Sequence, residues 1–290
     1  LPAGIDRFVA PVYNPHFGKR AARSTVRIVV AIKQVPQSQS VKLDEATGTM
    51  IRQGVEAVVN PLDLYAIELA LRIREQAAPG EHEVVAVSMG PPRAAVALRE
   101  ALAMGCDQAV LLSDPAFAGS DTWATSYVLC AAVRKLAPVG LVLCGERATD
   151  GDTGQVGPGL AAMLGMPVAT YVGKLVGIAS EACTVHRLVE HGHEVLEVDL
   201  PAVLTVVKEA AEPRLPTLRG KRHARSLDVP TWSLHDLSID AASVGLEGSP
   251  TRVVRIFKPT VARQCHKLAA RDEASVASAV EELVRFLKST

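Results

Sequence analysis

Short apolar runs alternate with amphipathic stretches from residue 26 to about 166, a pattern that predicts an α/β protein with a doubly wound, mostly parallel sheet. Two further observations agree. The run Val26 to Ile32 is apolar throughout, as expected of a strand covered on both faces. The run Val139 to Cys144 leads into a polar, glycine-rich stretch, Gly145 to Pro158, and then a milder apolar run from Leu160 to Met166. Strand, loop and helix start in that order form a geometry that binds nucleotide phosphates in open α/β sheets. Helix-start N–H groups point outward there, and small residues admit a ligand to the main chain.

Lys33-Gln34-Val35-Pro36 closes the first strand, with proline ending the run. Val41 to Ile51 alternates around Thr47-Gly48 and predicts a hairpin. Asn60-Pro61 opens a helix with Asn as N-cap and Pro at its first position, and Leu64, Ile67 and Leu71 give it a core face. Val84 to Val87 is the next strand, and Met89-Gly90-Pro91-Pro92 turns it into a helix reaching about Met104. Ala109 to Leu112 follows as a strand, and Gly119-Ser120-Asp121-Thr122 caps a helix running to about Leu136. After residue 166 the pattern changes. Ala169 to Val172, Cys183 to Val189, Val195 to Val198 and Val203 to Val207 predict a meander of short strands. Residues 209–230, rich in Pro, Arg and Lys without apolar periodicity, predict an extended arm. Residues 231–271 read as mostly irregular, and a final helix carries Val276, Val280, Leu283, Val284 and Leu287 on one stripe. That helix either folds back onto its own domain or docks on a second subunit.

Composition removes several classes of function. A chain of 290 residues can bury a full core as one large domain or one domain with an appendage. Basic and acidic residues balance at 31 each, so no global charge draws the chain to nucleic acid or an anionic membrane. No apolar run approaches the ~18 residues of a transmembrane segment. The five cysteines, at 106, 130, 144, 183 and 265, are widely spaced without a C-x-x-C pair, which reads as reduced core thiols in a cytosolic-type compartment. Aromatic content of 4% weakens any base-stacking platform. Residues 1–24 lack the apolar core of a secretory signal. Arg7, Lys19, Arg20 and Arg23 against one acid, Asp6, loosely resemble a transit peptide, but three prolines break any helical period, and a flexible extension is expected.

Catalytic signatures are equally sparse. There is no G-x-S-x-G and no cysteine with an activating neighbour, which argues against hydrolysis. His191-Gly192-His193, between Glu190 and Glu194, falls on an expected hairpin turn and reads as an exposed polar turn rather than a metal site. No G-x-G-x-x-G follows the first strand. What remains is a series of polar positions at successive strand ends: Ala31 and Lys33, Asn60, Met89, Ser120 to Ser126, and Gly145 to Gln155. In a doubly wound sheet these ends share one crevice. Asp150 and Asp152 would repel a pyrophosphate they faced directly, so they are expected as helix caps or ribose acceptors, with Arg147 offsetting charge. The polypeptide has no group that moves electrons at a controlled potential, so redox work would require a cofactor.

Over roughly residues 26–260 the chain resembles the beta subunit of electron transfer flavoproteins. The matching segments are Val30-Ala31-Ile32-Lys33-Gln34-Val35-Pro36, Asn60-Pro61-Leu62-Asp63, Val87-Ser88-Met89-Gly90-Pro91, and Gly145-Glu146-Arg147-Ala148-Thr149-Asp150-Gly151-Asp152-Thr153-Gly154-Gln155-Val156-Gly157-Pro158. Val207 to Arg214 resembles the family's signature, with Ala211 where asparagine is usual. The resemblance implies an adenine nucleotide alpha hydrolase-like sheet and a heterodimer with an alpha subunit that carries FAD. It implies that Ala31, Lys33, Asn60 to Asp63, Met89 and Gly145 to Val156 hold a nucleotide, with Thr122, Thr125 and Ser126 as phosphate or ribose partners. In conventional members the nucleotide is AMP. In the electron-bifurcating branch it is a second FAD that takes hydride from NADH and divides the electrons between the alpha-subunit FAD and ferredoxin or flavodoxin. Gly151, where conventional members have an acid, and Gly248-Ser249-Pro250-Thr251 with Val253 and Val254 resemble that branch. Leu215, Pro216, Leu218 and Arg219 stand where the family meets acyl-CoA dehydrogenase-type or quinone-reductase-type partners, with Leu218 as the apolar anchor. The implied organisation is an extension (1–24), a nucleotide-binding domain (25–208), a recognition arm (209–230) and a segment packing on the partner subunit (231–290). The implied location is the cytoplasm, or the mitochondrial matrix in a eukaryote.

Overall fold

The computed structural model describes residues 26–37, 42–43, 50–51, 57–254, 267–268 and 270–289. Its elements are β1 (Val26–Ala31), β2 (Gln34–Pro36), β3 (Lys42–Leu43), β4 (Met50–Ile51), β5 (Ala57–Val59), α1 (Pro61–Gln76), β6 (His82–Met89), α2 (Ala95–Met104), β7 (Gln108–Leu112), α3 (Thr122–Lys135), β8 (Val139–Gly145), α4 (Val156–Leu164), β9 (Val168–Ile178), β10 (Ala182–Val189), β11 (Gly192–Asp199), β12 (Ala202–Val206), α5 (Leu218–Ser226), β13 (Thr231–Trp232), α6 (Leu234–Leu237) and α7 (Glu273–Ser289). The expected hairpin is β3 paired antiparallel with β4; its turn, 44–49, lies outside the described residues, as do residues 1–24 and Cys265.

A nine-stranded sheet runs in the order β11-β10-β9-β12-β8-β1-β6-β7-β13. From β9 to β12, β8, β1, β6, β7 and β13 every pairing is parallel; only β9-β10 and β10-β11 are antiparallel. Alternate side chains of β1 serve two cores, as the uninterrupted apolar run requires. Ile28 and Val30 pack with α1 and α2 residues such as Ile67, Leu71 and Leu98. Val29 and Ala31 pack on the other face with Val128, Leu129 and Leu160 from α3 and α4.

Three stretches differ from expectation. The meander has three strands; the fourth run, β12, inserts between β9 and β8 in parallel. All five of its residues are buried, so it has the continuous apolar character of a strand covered on both faces. The arm contains a helix. α5 starts at a Thr217 cap whose hydroxyl oxygen accepts from the Gly220 N–H at 3.0 Å, and Arg99 Nη1 donates to the Ala224 carbonyl at 2.8 Å to hold it on α2. Its contact face is made of Gly220 and Ala224, too small to register as apolar periodicity. Finally, β13 joins β7 as the outermost parallel strand, so the start of the C-terminal segment is part of the main sheet.

Two compact units divide the chain, residues 1–254 and 255–290. In the second, α7 bears the expected stripe, and Val276, Val280, Leu283, Val284 and Leu287 are all exposed.

In the first unit, an ion-pair cluster pins the loop before α5 to α1. Arg214 donates from Nε to Glu68 at 2.7 Å and from Nη2 to Glu75 at 2.9 Å, and Arg72 Nε reaches Glu68 at 2.8 Å. Burial pushes the Glu68 carboxyl up, but these arginines outweigh it and hold the group below its usual value. Removing the partner of a buried charge costs more than the pair contributes. Arg214→Ala is therefore expected to lower unfolding stability in urea by about 3 kcal/mol. Glu75→Gln, at an exposed position, should cost under about 1 kcal/mol. Equal losses from the two variants would remove Glu68 from its structural role.

Candidate functional site

The carboxyl ends of β1, β6, β7 and β8 open into a cavity of about 1010 Å³. β6 and β7 follow from β1 on one side, and β8 and β12 on the other, so the chain reverses direction across the sheet between β1 and β8. That crevice is where open α/β sheets bind ligands.

Asp63, in the first turn of α1, ties the walls together. Its carboxylate is 4% exposed and accepts three hydrogen bonds: from the Lys33 N–H at 2.7 Å, from the Gly145 N–H at 3.1 Å and from Asn60 Nδ2 at 2.9 Å. Asn60 extends the connection. Its Nδ2 also donates to the Arg147 carbonyl at 2.9 Å, and its Oδ1 accepts from the Thr149 N–H at 3.2 Å. Asn60 precedes α1 as expected, but its side chain makes no cap bond; it holds the glycine loop instead. The approach requires glycine at 145, where a Cβ would stand 2.5 Å from Asp63 Oδ1 and 2.8 Å from the Leu62 carbonyl carbon. Burial pushes the Asp63 pKa up to about 7, against the three donors that favour its charged form.

The two loop carboxylates cap nothing. Asp150 pairs with Lys33 Nζ at 2.8 Å and Asp152 with Arg147 Nε at 3.0 Å. The N-cap of α4 is Gln155, without a side-chain cap bond. The first-turn N–H groups of Val156 and Gly157 are thus left to the cavity and make α4 the helix start suited to an anion. α3 is the reverse case. Asp121 accepts from the Trp123 and Ala124 N–H groups at 2.9 and 3.0 Å, which puts a carboxylate where a phosphate would sit.

Ala31, Lys33, Asp63, Met89, Thr122 and Thr125 line the cavity, as do Gly145 to Ala148, Asp150, Gly151 and Thr153 to Val156. Asn60, Pro61, Leu62, Thr149 and Asp152 stand behind or beside this wall. Ser126 is buried between α3 and α4, its hydroxyl donating to the Thr122 carbonyl at 2.7 Å. Leu215, Pro216, Leu218 and Arg219 are not on the wall; Leu215 and Leu218 project from the surface, each 87% exposed. His191-Gly192-His193 spans the β10–β11 turn and is exposed.

Sequence reasoning missed two parts of the lining. One is a lobe formed by Gln34 to Pro36, Ala57 and Gly90 to Ala94. The other is Ser113 to Pro115 with Phe117 to Gly119, leading into the expected stretch from Ser120, which the C-terminal segment holds: Thr251 donates through N–H and Oγ1 to Asp121 Oδ2 at 2.9 and 2.7 Å, and the Asp121 N–H donates to Ser249 Oγ at 2.8 Å. The resemblance singled out Gly248 to Thr251, but no spacing rule places it against residues ~130 positions away. Cys144 also lines the cavity, and burial with the nearby Asp63 charge pushes its thiol up to about 12, which leaves it inert as a nucleophile.

Residues 47–237 match the electron transfer flavoprotein domain family. The chain is similar to the caffeyl-CoA reductase-Etf complex subunit CarD of Acetobacterium woodii, at 48% identity over 81% of this chain and 88% of that protein. It is similar to the electron transfer flavoprotein subunit beta of Thermoanaerobacterium thermosaccharolyticum, at 44% identity over 89% of this chain and 98% of that protein. It is also similar to protein FixA of Azorhizobium caulinodans, at 41% identity over 88% of this chain and 92% of that protein.

Two outcomes test the bonded wall. Gly145→Ala is expected to cost about 2 kcal/mol or more through overpacking against Asp63, whereas Gly151→Ala, whose Cβ would meet nothing within 4 Å, should stay within about 0.5 kcal/mol. Similar losses at the two sites would discount the Asp63 contact. The second outcome concerns pH. Because the Asp63 pKa is raised from 3.8 to about 7, the folded state holds an extra proton in that window, and the stability this gives is full below the lower value and lost as pH rises through the upper one. Urea unfolding across this range should show that decline in the wild type and not in Asp63→Asn. Parallel profiles would mean that Asp63 does not titrate there.

Proposed function

This chain belongs to the electron transfer flavoprotein family, among its beta subunits, and we propose that its cavity holds FAD at the electron-bifurcating site of a heterodimer. The observation that carries the reading is the extent of the cavity. At about 1010 Å³ it stands at the top of the range of roughly 300–1,000 Å³ typical of ligand sites, and it runs past the glycine loop into the lobe beside Pro36 and Pro91. A mononucleotide such as AMP needs only the first part. Gly151 supports the larger occupant: it lines the cavity with open space where a side chain would stand.

When bound, the flavin would accept hydride from NADH and send one electron to the alpha-subunit FAD and one to a low-potential acceptor such as ferredoxin or flavodoxin. The polypeptide contributes position and charge. Gly145 to Gln155 would form the backbone wall, and the Val156 and Gly157 N–H groups would face the phosphates. Lys33 and Arg147 offset the charges of Asp150 and Asp152 beside that wall. Leu215, ahead of the basic helix α5, and Leu218, its first residue, are exposed and suited to meet an acyl-CoA dehydrogenase-type or quinone-reductase-type partner, and the apolar stripe of α7 to meet the alpha subunit. Among the described residues no helix is long and apolar enough to cross a membrane, and we assign the work to the cytoplasm.

Counting nucleotides in the purified heterodimer decides between the readings. Two FAD and no AMP are expected. One FAD with AMP would replace this reading with a conventional beta subunit in which AMP is structural, and absence of flavin would leave a nucleotide-binding scaffold. Gly151→Asp introduces a carboxylate into the open part of the cavity without a clash in the protein. It is expected to abolish flavin bleaching by NADH while leaving the fold intact; unchanged bleaching would move the ring away from this position.

A further inference from the structure

The lining of the cavity is rich in acids for a site that would take an anion: Asp63, Asp114, Asp121, Glu146 and Asp150 face Lys33, Arg93 and Arg147. Four of the five carboxylates are hydrogen-bonded within the protein. Asp63 has its three N–H donors, Asp114 accepts from the Ala116 and Leu234 N–H groups, Asp121 has its helix start and Thr251, and Asp150 has Lys33. Glu146 lies 3.8 Å from Arg147 Nε. Lys33 and Arg147 are thereby committed. Arg93 is the exception: among the described residues its guanidinium makes no hydrogen bond or ion pair.

The backbone that carries Arg93 is firmly set. Pro91 and Pro92 fix two φ angles before it. The Ala94 N–H donates to the Pro91 carbonyl at 2.8 Å, and Gln34 Nε2 donates to the Arg93 carbonyl at 3.1 Å. An arginine on a rigid turn, in a cavity whose other two cations are paired with carboxylates, gives the second lobe one uncommitted positive pole. The α4 start is the other anion-seeking feature of the same cavity. A guanidinium presents paired donors that match a phosphoryl group.

We propose that Arg93 binds a phosphoryl group of a dinucleotide in this lobe, either that of the resident nucleotide or that of the incoming nicotinamide dinucleotide. The inference rests on the nucleotide-binding reading of the cavity and deepens it.

The test compares wild-type heterodimer with Arg93→Ala and Arg93→Lys, using FAD, AMP and NADH as probes. Nucleotide retained per heterodimer after gel filtration is measured, together with KM and kcat for NADH oxidation by an artificial acceptor. Loss of a charged hydrogen-bond donor should weaken one ligand by about tenfold or more. A fall in retained FAD in Arg93→Ala assigns the phosphoryl group to the resident nucleotide. A raised KM for NADH at constant kcat assigns it to the donor. Arg93→Lys should keep part of the lost affinity, since it keeps the charge without the fork. If Arg93→Ala alters neither retention nor KM by more than about twofold, well below the loss expected for a charged donor, the proposal is overturned. The exposed position of Arg93 predicts an unchanged melting temperature, which separates ligand loss from misfolding. A wild type with AMP and no NADH activity would overturn both the bifurcation reading and the dinucleotide contact, whereas two FAD with no effect of Arg93→Ala would overturn the contact alone.

Discussion

The buried carboxylate of Asp63 is the constraint on which the site depends. The N–H groups that meet it come from the ends of two adjacent parallel strands, and the third donor is the amide that precedes its own helix. Strand ends in an open sheet splay with its twist. A shared acceptor between them fixes the width of the crevice, and a buried acceptor with three donors is costly to separate from any one of them. Asn60 carries the same order into the glycine loop, so the loop's path is set by protein bonds before any ligand arrives. Preorganisation of that kind lowers the ordering cost of binding.

It also explains an apparent contradiction in the chemistry. A nucleotide site lined with five acids would repel its ligand if those acids were free. Most are bonding devices: Asp63 joins strands, Asp114 and Asp121 cap turns and a helix, and Asp150 anchors Lys33. Four of the five carboxylates are spent on bonds inside the protein, which leaves the α4 N–H groups and Arg93 as the parts of the lining that seek an anion. Acid count is therefore a poor guide to what such a cavity attracts; the bonding state of each acid is the better one.

Much of this was legible in the sequence. Apolar runs of strand length separated by helical stretches gave the parallel sheet, and the polar residues at the ends of those runs gave the crevice, because strand ends and ligand sites coincide in this architecture. The misreadings share a cause. β12 has the composition of a doubly covered strand, but it follows three short runs whose spacing it shares. α5 meets α2 through Gly220 and the buried Ala224, too small to carry a hydrophobic period. Asp150 and Asp152 sit just ahead of a helix, where capping is the usual expectation, but Lys33, just beyond β1, and Arg147 from the loop itself claim them. Local rules fail where a partner far along the chain offers a stronger bond, and the hold of Ser249 and Thr251 on Asp121 is the extreme case.

The glycines of the loop show how a motif separates into parts once neighbours are known. Gly145 is required by Asp63, which approaches too closely for a side chain, and Gly157 by Thr205 and Cys144 beneath it. Both would be needed whatever the cavity held. Gly151 answers to no neighbour in the protein, since a side chain there would enter open space on the cavity wall. Protein packing thus accounts for the first two and leaves the third without a structural reason. A residue whose smallness benefits nothing in the fold is suited to serve what binds there, and that makes Gly151 the position at which the sequence bears most directly on the identity of the ligand.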